Sequence, residues 1–341
     1  MSKNSSIKDH CFFLPNPSFE SVSLRYESNV STAVFNALCS PFAVVANFII
    51  ITVICRKGSL RTPSNVLIGC LALSDFLVGL VVQPCYVAFR VMEAFYKYVP
   101  CTLRIVYSES FWISYGASFF TLNAISFERL MALTLHLRYS ELVTAKSLFK
   151  VAVGIWIFDI GLTSLEWLSS TSKIELPRKI HTFVFLLSLL LTIIVHIITF
   201  KILFRHHRQI EQQENAAKRT HSDSNVSSVL IELRQIKIAF NVAYIAGFYC
   251  LCNMPVMCIN TYYVFSGRAV NNLNIYSWSE TVAYLNSCLN PVICCWRNKD
   301  LRRHTLKIFA RPTKAKKVSL RSVNNIQLEV KSNFASVKNE L

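Results

Sequence analysis

A chain of 341 residues has the length of two or three soluble domains, yet 52% of it is hydrophobic and only 16% charged, against about 25% charged in an ordinary soluble chain. Mean hydropathy is +0.38, and 8 Gly and 10 Pro leave the apolar runs long. This excludes disorder, collagen-like repeats and a disulfide-stapled miniature, and it points to a membrane protein.

A helix needs about 20 mostly apolar residues to cross the hydrocarbon core. In chain order the candidates are 31–55, free of charge; 62–89, with Asp75 alone; 105–127, with Glu109 alone; and 151–168, with Asp159 and Glu166. Then come 180–200, charge-free but carrying His181 and His196; 238–267, charge-free; and 269–296, with Glu280 alone. The prediction is an all-α membrane protein, a seven-transmembrane helix bundle over 31–296 preceded by a tail, 1–30. A long polar loop of about 205–234 extends the fifth and sixth helices at its ends, and a disordered tail occupies 310–341. Between bundle and tail, 297–309 spaces Leu301, Leu306, Ile308 and Phe309 against Arg302, Arg303 and Lys307, the pattern of a short amphipathic helix on the membrane surface.

Orientation follows from Lys and Arg, which cytoplasmic segments retain in excess. With the N-terminus outside, 26 of the 36 fall in cytoplasmic segments. Much of the +17 net charge then faces anionic membrane lipids rather than nucleic acid. The first 30 residues are polar and show no signal peptide. Asn4 and Asn29 head sequons that this orientation places outside, as glycosylation candidates, whereas the sequon at Asn225 lies inside. Most of the 12 Cys sit in spans as small hydrophobes; Cys11 and Cys101 are outside and either pair or stay as two thiols.

Short motifs then occur in order. The first span holds Ala46-Asn47 and the second Leu71-Ala-Leu-Ser-Asp75. The third ends Phe127-Glu128-Arg129-Leu130, followed by Leu137-Arg138-Tyr139, and Trp156 lies within the fourth. The sixth holds Cys252-Asn-Met-Pro255, and the seventh ends Leu285-Asn-Ser-Cys-Leu-Asn-Pro-Val-Ile-Cys294. Over nearly its whole length the chain resembles the class A (rhodopsin-like) G-protein-coupled receptors.

That resemblance implies a plasma-membrane receptor, not an enzyme, that binds an extracellular ligand, a small molecule or a peptide, in the helix bundle and activates a heterotrimeric G protein when helix six swings outward. It assigns Glu128, Arg129, Asn253, Pro255, Asn290 and Pro291 to the switch. Prolines inside helices six and seven remove backbone hydrogen bonds and supply hinges. Asn47, Asp75, Ser118, Asn286, Ser287 and Asn290 match a polar network in which Asp75 and Ser118 hold an allosteric sodium ion. The alternative is a neutral, hydrogen-bonded Asp75; no other cofactor is implied. Membrane lipids and arrestin, the latter through the Ser-containing tail, complete the expected partners.

The ligand pocket implied by the family is lined by Phe111, Trp112, Tyr115, Asn260, Glu280 and Tyr284. Phe111 stands where amine receptors carry aspartate, and the seventh span has no Lys for a retinal Schiff base. A membrane carboxylate such as Glu280 can pair with a cationic ligand group, with aromatic faces beside it. An internal partner, Arg90 or Tyr284, is the other reading. Leu137–Thr144, Ile160–Thr163 and Asn260 resemble adenosine receptors, whereas the short outer segment before helix five, lacking Cys, resembles melanocortin receptors.

Several family positions are altered. Asn253 replaces an aromatic, Tyr249 a phenylalanine, Thr192 the helix-five proline, and Phe200 and Cys294 two tyrosines; Gln235 replaces an acidic residue. The family's disulfide from the top of helix three has no partner Cys between helices four and five. These changes leave strong, weak and absent coupling all open. A transporter is the less favoured alternative, because no repeat relates the two halves, and no HExxH motif suggests a metal hydrolase.

Overall fold

The computed structural model describes residues 11, 14, 22–135, 138–172, 176–220, 247–266, 273–297 and 299–309. Among them are seven long helices, a shorter eighth, two single-turn helices (Gly58–Leu60 and Tyr139–Leu142) and no strand. The long helices are α1 (Val22–Arg56), α2 (Pro63–Tyr96), α3 (Cys101–Leu135), α4 (Ala145–Ser172), α5 (Leu176–Thr220), α6 (247–266) and α7 (Leu273–Arg297). The short α8 spans Lys299–Phe309. α1 begins at Val22 rather than at residue 31, so the expected tail 1–30 contributes to the helix. α5 runs on to Thr220, well into the polar stretch 205–234. The remainder of that stretch, Gln235, Asn4, Asn225 and the tail 310–341 lie outside the described residues.

Local chemistry explains the breaks. The Thr62 side chain caps α2 by accepting from Asn65 N, and Pro63 occupies the first turn, where its missing N–H costs nothing. Pro84 cannot donate to the preceding turn, and α2 widens there into the π-helical segment Val78–Val82. Within that segment Gly79 lets α1 approach: a β-carbon at 79 would stand 2.9 Å from Ala43 Cβ. The Ser40 hydroxyl donates to Gly79 O at 2.7 Å across the same contact.

α1 packs on α2 and α7, and α3 packs on α2, α4 and α5. A continuous core runs through Leu67, Leu71, Phe119, Leu122, Phe185, Val256 and Tyr284. α1 turns Leu38, Phe42, Val45 and Phe48 outward, which suits lipid rather than water. α8 buries Leu301 against α1 and α7 and exposes Arg302 and Arg303.

Candidate functional site

At the end of the bundle that carries Cys101, four charged side chains from three helices form a buried chain. Arg25 Nη1 of α1 lies 3.0 Å from Glu93 Oε1, and Arg90 Nη1 lies 3.0 Å from Glu93 Oε2, both on α2. Arg90 Nη2 then reaches Glu280 Oε2 of α7 at 2.9 Å. The Tyr107 hydroxyl donates to Glu280 Oε1 at 2.6 Å and shares a proton contact of 2.7 Å with Tyr284. Glu280 therefore does not wait for a cationic ligand. The internal partner is Arg90, because a long guanidinium two helices away reaches it inside the bundle. Tyr107 and Glu93 went unnoticed in the sequence, although Tyr107 lies one helical turn before Phe111 and so on the same face.

Asn29 is corrected too. It lies in α1 with no exposure and donates its amide to Glu93 Oε2 at 3.2 Å, so its nitrogen is closed to a glycan. Cys11 and Cys101 are not two thiols but a disulfide, with Cα atoms 5.4 Å apart. Arg104 also reaches this N-terminal region, donating to Leu14 O at 3.3 Å. The described N-terminal residues thus sit on α3.

Below the charge chain, Phe111, Trp112, Tyr115 and Tyr284 form one aromatic cluster, extended by His181 and Phe185 of α5. The inward face shared by His181 and Phe185, four residues apart on α5, was missed because a mostly apolar span hides which face turns inward. Asn260 stands apart on α6 and donates to Thr182 Oγ1 of α5 at 3.3 Å. A small cavity, with ≈ 20 Å³ open to the centre of a water, lies beneath Phe111 and Tyr284 and is walled by Tyr115, Ser118, Asn253 and Asn286. It brings together residues expected in separate places, the aromatic pocket and the polar network. Asn253 occupies its wall with its amide turned to Tyr249 O at 2.8 Å. An indole there would fill that space.

Deeper, Asn290 Nδ2 donates to Asp75 Oδ2 at 2.8 Å. Asp75 Oδ1, Asn286 Oδ1 and Asn290 Oδ1 are buried without a hydrogen-bond partner among the described residues. Ser118, which shares the cavity wall with Asn286, donates its hydroxyl to Ser74 Oγ at 2.8 Å. Asn47 does not reach Asp75: its amide donates to Ser287 O at 3.0 Å and ties α1 to α7. A carboxylate with one unpaired oxygen, together with two unpaired amide oxygens, is a donor set for a hard cation with water, and these residues fit sodium. Pro291 is buried inside α7 and Pro255 is exposed on α6.

At the opposite end, Glu128 is fully buried at the foot of α3. Its Oε1 accepts from Ser64 Oγ at 2.9 Å and from the Tyr139 hydroxyl, and its Oε2 lies 3.1 Å from Arg129 Nε. One carboxylate thus holds the arginine, α2 and the segment after α3 together. Higher on α3, on the side that faces α5, Asn123 Oδ1 accepts from the Thr192 hydroxyl, so a polar contact between α3 and α5 takes the place of a proline.

A family model described as 7 transmembrane receptor (rhodopsin family) matches residues 46–293. The chain is 26% identical over 309 residues to the adenosine receptor A2b of Homo sapiens, covering 79% of this chain and 86% of that one. It is 26% identical over 297 residues to the histamine H2 receptor of Canis lupus familiaris, covering 84% and 81%. G-protein coupled receptor 12 of Mus musculus is 26% identical over 283 residues, 78% of each chain.

Proposed function

Because the chain belongs to the rhodopsin family of seven-transmembrane receptors, and is a membrane receptor rather than an enzyme, we propose that it activates a heterotrimeric G protein when α6 moves away from Arg129. The observation that carries this reading is the buried Glu128, which pairs with Arg129 and is itself held by Ser64 and Tyr139. Glu128 Oε1 has two hydrogen-bond donors while Oε2 meets Arg129 Nε as an ion pair without a hydrogen bond, and removing one partner of a buried pair leaves the other charge uncompensated. That is the character of a two-state catch.

The receptor sits in the plasma membrane with its N-terminus outside, an orientation supported by 26 of 36 Lys and Arg falling on the other side. The ligand is a small extracellular molecule taken between the aromatic cluster and Asn260. The relatives named for adenosine and histamine support a ligand of that size. Asp75, Ser118, Asn286 and Asn290 would hold a sodium ion, whose charge would offset the buried carboxylate and draw α2, α3 and α7 together. Arrestin, through the Ser-containing tail, and anionic lipids along the basic face are the further partners.

The test is basal G-protein dissociation in cells across the main G-protein classes, with a surface-expressed Arg129→Ala variant as the control. Activity above the control identifies a coupling receptor and its pathway. Equal signals, with and without a bound ligand, favour a second reading, a receptor that binds without coupling. Asn253, Thr192, Phe200 and Cys294, all departures at switch positions, are what favour it.

A further inference from the structure

Glu280 is the one carboxylate among the residues expected to line the ligand pocket, and both its oxygens are taken. The group on Oε2 is a guanidinium, held on its other nitrogen by Glu93 at 3.0 Å. Its carbon lies 4.9 Å from the Tyr86 ring centre and 5.4 Å from that of Phe89. Two carboxylates and two aromatic faces, shielded from water, are what a protein offers a bound guanidinium or amine. Here the cation they hold is a side chain of the same protein.

We infer that Arg90 is a tethered cation filling the receptor's own cation subsite, so that it excludes amine and guanidinium ligands and limits the receptor to ligands uncharged where they meet Glu280. The charges of the cluster explain the exclusion. Arg25 and Arg90 balance Glu93 and Glu280, with side chains no more than 8% exposed. An added ammonium would leave a net positive charge in a medium of low dielectric, where it is poorly solvated. To bind at Glu280 it must first expel Arg90 from two ion pairs at once. Arg90 is then a residue that sets ligand class. The inference rests on reading this end of the bundle as the ligand cavity, and it is independent of whether the receptor couples to a G protein.

The direct test uses purified full-length receptor, methylguanidinium as the probe and thermal unfolding as the readout, with no G protein present. Arg90→Ala should lower Tm by about 5 °C or more, as loss of one partner from a buried ion pair does. Millimolar methylguanidinium should recover about half of that loss by occupying the vacated site, on the mass-action stabilisation expected of a ligand that binds only the folded state. It should leave wild type unmoved. The double variant Arg90→Ala with Glu280→Gln should not recover, because the carboxylate that receives the probe is gone. Arg90→Gln, which keeps the side chain over Tyr86 without charge, is read in the same way if Arg90→Ala does not fold. An unchanged Tm on removing Arg90, no recovery in either variant, or equal recovery in wild type or the double variant would each overturn the proposal. Failure of coupling in cells would leave these readings intact.

Discussion

The carboxyl group of Asp159 on α4 lies directly on the backbone of Gly116 on α3, so close that a β-carbon at 116 would stand 1.8 Å from Oδ1. Asp159 is fully buried, and neither oxygen has a side-chain hydrogen-bond partner among the described residues. A polar group at that depth survives only where the neighbouring helix leaves it room. Gly116→Ala should therefore force α4 off α3 and destabilise the bundle by about 1–3 kcal/mol, read as a lower Tm and less receptor at the cell surface. Asp159→Ala in the same chain should restore most of the loss, because it removes the clashing atoms. Additive losses in the double variant would show that the two positions are not coupled.

Tyr139→Phe should loosen the catch around Arg129. It deletes a hydrogen bond to the Glu128 carboxylate, of a type that contributes about 1.5–3 kcal/mol, and leaves Ser64 as the other donor. Basal G-protein dissociation, measured against Arg129→Ala, should rise by about fivefold or more. A fall, with surface expression unchanged, would mean that Tyr139 supports the signalling state instead.

Cys11→Ser and Cys101→Ser should be equally damaging, and the double variant no worse than either. The bridge closes a long loop, and losing such a bridge costs about 2–5 kcal/mol. Thermal unfolding of wild type with and without a reductant checks this: reductant should bring wild type to the Tm of the single variants and leave the variants where they are.

Asn29→Gln should leave electrophoretic mobility unchanged, since the Asn29 amide is buried against Glu93. Asn4→Gln should remove the glycan. A mobility shift from Asn29→Gln, reproduced by glycosidase treatment, would show that the side chain is reached before α1 packs.

Replacing sodium with a bulkier organic cation should lower the Tm of wild type and leave Asp75→Asn unmoved. The variant keeps an oxygen at the site but loses the charge that favours the ion. Equal sodium sensitivity in both would place the ion elsewhere.

The helices were legible in the sequence to the extent that composition controls them. Uninterrupted apolar runs reveal where a span must lie, because lipid leaves backbone groups no partner outside the helix. They do not reveal where a helix ends in water, which is why α1 starts at Val22 and α5 reaches Thr220 beyond the apolar runs. The site was legible in part. Asp75, Glu128 and Glu280 stand out as charges in apolar text, and His181 as a polar ring in a charge-free span, but the inward face that joins His181 to Phe185, and Tyr107 to Phe111, does not, since a mostly apolar span gives little periodicity to show it.

Partners are a different matter from positions. That Glu280 lies inside the bundle follows from its place in a span; that Arg90 already holds it depends on how α2 is wound and how closely α7 approaches. The same holds for Asn29, a surface sequon by its motif and a buried hydrogen-bond donor by its packing, and for Cys11, whose choice of partner no spacing dictates. Burial in lipid is a property of a stretch of chain, summed over about 20 residues, so it can be read along the sequence. An ion pair, a hydrogen bond or a disulfide depends on two side chains meeting within a few ångströms, and for residues as far apart as Arg90 and Glu280 only the packed bundle brings that about.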